Sequence, residues 1–191
     1  MKTLSSDKTV TRLATDAIFL AAALILSMVE SLIPFFAVPI PGFKLGLANL
    51  AVTLACFVLS PADAAVISLI RCAMVFLLFG NPVSLAYSVT GSVFAMAVLT
   101  VLYCTKLSRS FSFVGISVMC ATAHNVGQIT AAVLIMGTPV LSYMPVLLIS
   151  SVVCGALTGL IIQLLANRYF FRKNDNPDNP ARQKRASISR K

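Results

Sequence analysis

The sequence is short of charge. Only 11% of its 191 residues are Asp, Glu, Lys or Arg, against 58% hydrophobic residues and a mean hydropathy of +0.92. A water-soluble domain of that composition would be insoluble, so the soluble globular class is excluded and an integral membrane protein is left. Histidine occurs once, at His124, with no carboxylate near it and no set of ligands at metal-binding spacing around it, and this gives no metal motif. The five cysteines, Cys56, Cys72, Cys104, Cys120 and Cys154, stand on different apolar runs without a C-x-x-C pair. That spacing argues against a metal cluster or disulfide framework and fits small packing residues. A Walker motif is missing, so any ATP-driven step has to reside on other chains. So is an internal repeat of the transporter kind. No cofactor is expected.

What the chain does have is long apolar runs, near 16–36, 45–60, 62–79, 83–104, 113–136 and 141–167. Each approaches the ~20 residues that cross a bilayer, which predicts an all-α integral membrane protein of six transmembrane helices. They form one domain, 1–171, followed by a basic, disordered cytoplasmic tail, 172–191. The first run is too long for a cleaved signal peptide and lacks a small-residue cleavage site, so it is expected to remain as an anchor. Pro39, Pro41 and Gly42, then Ser60-Pro61, Gly80-Asn81-Pro82 and Gly137-Thr138-Pro139 punctuate the runs. Pro61 reads as the first-turn residue of the third helix, across a tight hairpin.

Basic residues set the orientation. Lys2, Lys8 and Arg12 precede the first helix, Lys106 and Arg109 lie between the fourth and fifth, and eight more fall from Arg168 to Lys191. Positively charged segments stay on the cytoplasmic side, so both termini are placed there and the number of spans is even. The basic tail suits anionic lipid at the membrane surface, and nucleic acid is not an expected partner.

Of the 15 basic residues only Lys44 and Arg71 lie outside these three segments. Arg71 sits in the run AAVISLIRCAMVFLLF. An arginine there costs about 2.5–3.5 kcal/mol even on the lenient insertion scale and normally faces a protein interior or a cavity. Candidate companions are Glu30, Lys44, Asn49, His124, Asn125 and Gln128. With the N-terminus inside, all fall in the outer half or near mid-membrane and could line one pocket opening outward. Arg71 and Lys44 would hold a carboxylate or phosphate, while His124 and Gln128, four apart on one helix face, would orient its polar edge. The other reading is a closed network in which Glu30 neutralises Arg71 or Lys44. In it Lys44 snorkels to the interface and Asn49 and Asn125 join helices. Phe35, Phe36, Phe43, Phe76, Phe79 and Tyr87 cluster toward the outer side as an interface belt, or as a stacking wall for a flat ligand.

The segments PGFKLGLANL (41–50), RCAMVFLLFGNPVSLAYSVTGSVFAM (71–96) and FSFVGISVMCATAHNVGQITAA (111–132) resemble the Gx transporter family. Its members often carry the label heptaprenyl diphosphate synthase component I, and the family is similar to the substrate-binding S components of energy-coupling-factor (ECF) vitamin transporters. The K-L-G-L-A-N and H-N-x-G-Q motifs are the most specific part of the likeness, which spans most of the chain. It implies an S-component-like bundle in the plasma membrane that captures a small molecule from outside, partnered by a transmembrane coupling subunit and two ATPases. It further implies that small residues spaced A-x-x-x-A on the first helix touch the coupling subunit, a spacing that Ala17 and Ala21 fit. Alanines four apart share a face and let a second helix approach, although packing within the bundle would use them equally.

Three functions stay open. The first is a binding subunit for uptake of a small anionic or amphipathic metabolite. The second is the synthase label. Prenyl diphosphate synthases hold magnesium on aspartate-rich motifs, and here the aspartates are Asp7, Asp16, Asp63, Asp175 and Asp178, with no D-D-x-x-D cluster. Catalysis by this chain alone is therefore not expected, which leaves a non-catalytic role in isoprenoid or quinone metabolism. The third is an anchor or accessory subunit of a redox or lipid complex.

Overall fold

The computed structural model describes residues 2–32, 46–105 and 111–175. They form six helices: α1 Lys2–Leu32, α2 Asn49–Val58, α3 Pro61–Phe79, α4 Pro82–Cys104, α5 Phe113–Met136 and α6 Met144–Asp175. A 3-10 turn, Thr138–Tyr143, leads into α6. Five of the helices are long and apolar enough to cross a membrane; α2, with 10 residues, is not. At 1.5 Å per residue α2 covers about half of a ~30 Å hydrocarbon layer.

Turn residues set the breaks. Ser60 caps α3, its Oγ accepting from Asp63 N at 3.2 Å with Pro61 in the first turn. Gly80 closes α3 in the left-handed conformation (φ 64°). Asn81 then opens α4 by accepting from Val83 N and Ser84 N at 3.1 Å each. Ser112 caps α5 at Gly115 N. α2 starts later than the apolar run beginning near 45, because Gly46 adopts φ 87°, outside the helical region. α6 runs to Asp175, past the boundary drawn at 171, and residues 176–191 of the tail lie outside the described residues.

Arg12 and Asp63 fix the relative direction of the first three helices. Arg12 Nη2 donates to both carboxylate oxygens of Asp63 at 2.8 and 2.6 Å. The start of the apolar part of α1 and the first turn of α3 therefore lie at the same end of the bundle. The chain returns between them: Glu30, near the end of α1, accepts from the backbone at the head of α2, and α2 closes at Ser60 beside Asp63.

α5 is the centre, packing most extensively on α4 and α6. Glycines bring it close to both. A Cβ on Gly127 would stand 2.6 Å from Thr90 O and 2.9 Å from Gly91 Cα. On the other side, Cβ atoms on Gly155 and Gly159 would stand 2.7 Å from Val118 Cα and 2.5 Å from Val114 Cα. Gly155 and Gly159 form a G-x-x-x-G ridge, four apart on one face.

Two apolar clusters divide the interior. One gathers Ala23, Val52, Ala64, Ile67, Leu99 and Ile116, and the other Tyr87, Ile129, Ala132, Val140 and Leu147. Between them in helix order lie buried polar residues: Ser27 and Glu30 on α1, Asn49 on α2, Ser68 and Arg71 on α3, Ser88 and Ser92 on α4, His124, Asn125 and Gln128 on α5, and Ser151 on α6. The outward faces carry Ile18, Leu77, Leu134 and Leu164, each more than half exposed. Polar residues inside and large apolar ones outside suit a bundle bathed in lipid.

Candidate functional site

The polar layer has one cation at its heart. Arg71 is 4% exposed, and its Nη2 donates to Ser92 Oγ on α4 at 2.8 Å. Nη1 makes a long contact of 3.4 Å to Ser27 Oγ on α1, and Cys72 Sγ lies 3.6 Å from Nη2. Nε has no hydrogen-bond partner, and among the described residues Arg71 forms no ion pair. The expected Arg71–Glu30 pair is not made. Glu30 Oε1 instead accepts from Gly46 N and, at 3.3 Å, from Leu47 N. This puts the carboxylate against the positive end of the α2 dipole.

A second group gathers around His124. Its Nε2 lies 2.7 Å from Gln128 Nε2. The two side chains, four residues apart on α5, share a hydrogen bond. The ring fits because two glycines make room for it. A Cβ on Gly91 would stand 2.7 Å from His124 Cε1, and one on Gly46 3.2 Å from His124 Cδ2 and 3.2 Å from Asn49 Nδ2. Glu30, the head of α2, Asn49, Gly91, His124 and Gln128 therefore converge. Asn49 Nδ2 has no hydrogen-bond partner, and Asn49, Thr53, Ser92 and Cys120 help line a cavity of about 10 Å³, near the room one water needs.

The remaining candidates separate from this set. Asn125 turns to α6, its Nδ2 donating to Leu147 O at 3.0 Å as an interhelical tie. Tyr87, expected in an outer aromatic cluster, is fully buried in the second apolar cluster. Phe79 is 47% exposed. Lys44, Phe35, Phe36 and Phe43 lie outside the described residues. Ala17 and Ala21 are exposed on the outer face of α1, so packing within this bundle does not use them. Cys56, Cys72 and Cys120 are buried free thiols. Among the described residues no three His, Cys, Asp or Glu side chains converge.

Sequence reading passed over the hydroxyls that hold Arg71. Ser27 was within reach of it, lying three residues before Glu30 and on the same helix face. Ser92, by contrast, needs the rotation of α4 to be known, which no local pattern supplies.

Apolar outer faces around a buried polar layer define a multi-pass helical membrane protein. The model of the family described as heptaprenyl diphosphate synthase component I matches residues 19–165, and the chain belongs to that family. Both the K-L-G-L-A-N and H-N-x-G-Q segments fall inside the matched range. No curated protein and no solved structure matches the chain.

Proposed function

We propose that the chain is the substrate-binding, S-component-like subunit of an ECF-type uptake transporter for a small anionic metabolite. It would sit in the plasma membrane with both termini cytoplasmic and be driven by separate coupling and ATPase subunits. The observation that carries this reading is Arg71: a buried guanidinium surrounded by neutral hydroxyls, with Nε unpaired and no ion pair among the described residues. A charge kept in that state within a bilayer is expensive unless an anion visits it. Asn49 Nδ2 is another donor without a partner in the same layer, and it shares the space beside Gly46 with the ring of His124. Donors outnumber acceptors, which suits a carboxylate or phosphate. Lys44 is part of the same proposal as a second cation for the ligand. Ala17 and Ala21, exposed and one turn apart on α1, are assigned to the coupling subunit.

The chain is not assigned a catalytic role, since its five aspartates include no adjacent pair. The family description favours a second reading, a non-catalytic membrane component of a prenyl diphosphate synthase system. Purification of wild type and Arg71→Met, followed by mass spectrometry of co-purifying small molecules, decides whether an anion is bound at all. An anionic species present in wild type and lost from folded Arg71→Met is expected. A wild-type protein whose bound molecules are unchanged in Arg71→Met would overturn the binding role.

A further inference from the structure

A cleft of about 440 Å³ runs along the outer side of α3 and α4. Leu69, Val93 and Val101 line it and are each more than half exposed, so it opens sideways toward lipid. Ala97 leaves space between them; Ser68 and Ser92 supply the hydroxyls at the end nearest the polar layer, and Thr100 adds one further along. Ser68 is 2% exposed and its Oγ has no hydrogen-bond partner. Ser117 Oγ and the Tyr87 hydroxyl share that state, but neither lines this cleft. Thr90, Thr105, Thr130, Ser150 and Thr158 each return their hydroxyl to a carbonyl three or four residues earlier, which is how a membrane helix ordinarily satisfies such a group. Ser68 lines the cleft without doing so. Beside it, Ser92 Oγ accepts from Arg71 Nη2, which sets the cation directly behind the polar end of an apolar trough.

We infer that this cleft holds the hydrocarbon chain of a single-chain anionic amphiphile drawn from the membrane, its oxyanion head at Ser68 and Ser92 in the field of Arg71. The inference rests on the anion-binding reading of Arg71 and adds where the apolar part of the ligand lies. An oxyanion accepts only, so it satisfies the hydroxyl of Ser68 and draws on the charge of Arg71 together. The chain gains little from leaving lipid for an equally apolar cleft, so head recognition and shape provide the selectivity. In helix order the trough leads from the polar layer toward the end of the bundle marked by Arg12 and Asp63, passing Ala97 and Val101 on α4.

Dodecyl phosphate bearing a diazirine on its terminal carbon tests this on the full chain in phosphatidylcholine nanodiscs. Photolabel is expected on α3 and α4 peptides around Ala97 and Val101, displaced by excess unlabelled dodecyl phosphate but not by added phosphatidylcholine. Ala97→Phe, on an exposed cleft wall where folding is not at stake, should reduce that label severalfold, and Ser68→Ala should weaken displacement. Label spread over outward residues such as Leu134 and Leu164, unaffected by competitor or by Ala97→Phe, would overturn the inference. Thermal denaturation with inorganic phosphate and with dodecyl phosphate separates the two claims. Spread label together with an Arg71-dependent stabilisation by phosphate sinks the cleft alone, whereas no stabilisation of wild type by either compound sinks the anion reading with it.

Discussion

At the scale of single residues, the arrangement around Arg71 depends on hydroxyls and on missing Cβ atoms. Gly91 and Gly127 face each other across α4 and α5 but differ in what a methyl would strike. At Gly91 it meets ring atoms of His124 and Cγ of Gln128, which are side chains able to move. At Gly127 it meets Thr90 O and the backbone of Gly91, which cannot yield without separating the helices. Overpacking a close contact costs about 1–3 kcal/mol, so Gly127→Ala should lose at least the upper part of that range. Gly91→Ala should lose less stability yet displace His124 and weaken ligand binding. Melting temperatures in detergent, read beside binding, check the order; equal destabilisation by both would contradict it. The hydroxyl contacts also bear on Glu30. Because Arg71 bonds Ser92 and Ser27 and Glu30 bonds the head of α2, Arg71→Met and Glu30→Gln should affect stability nearly additively. A coupling above about 1 kcal/mol in that double-mutant cycle would restore the ion pair expected from the sequence.

At the scale of helices, the breaks could be read from the sequence because caps are local chemistry. Ser60-Pro61, Gly80-Asn81-Pro82 and Gly137 end or start elements where turn propensity places them. The start of α2 was not legible, since Gly46, at φ 87°, gives its N–H to Glu30 on another helix, a contact no local pattern shows. The candidate polar residues were recognisable as a group from their rarity in apolar runs. Their pairing was not, because it depends on how each helix is rotated about its axis. The Gly155/Gly159 spacing stood in the sequence unread and proves to seat α6 on Val114 and Val118 of α5. Gly159→Leu should therefore disrupt the bundle. Its Cβ alone would come 2.5 Å from Val114 Cα, and the rest of the side chain has no space between the backbones. Loss of the monodisperse species on gel filtration is the expected result. Ala17→Leu with Ala21→Leu, on an exposed face, should leave that species intact.

At the scale of the whole molecule, the short α2 decides the topology. If α2 and the residues before it did not return across the membrane, α3 would begin on the side where α1 ends. The contact between Arg12 and Asp63 argues otherwise, because it joins the start of the apolar part of α1 to the first turn of α3. A return passage would make the crossings even in number, the arrangement expected from the basic residues at Lys106, Arg109 and 168–191 if they stay on the side of the N-terminus. Single cysteines at Lys2, Asn81, Lys106 and Lys191, in a background where the five native cysteines are replaced by alanine, distinguish the two arrangements. In intact cells an impermeant maleimide should label Asn81→Cys, in the exposed turn between α3 and α4, and spare Lys106→Cys and Lys191→Cys until the membrane is permeabilised. The reverse pattern, with Lys106→Cys and Lys191→Cys labelled and Asn81→Cys protected, together with a Lys2→Cys that stays protected, would mean five crossings. It would also place the Arg12–Asp63 contact outside the native fold.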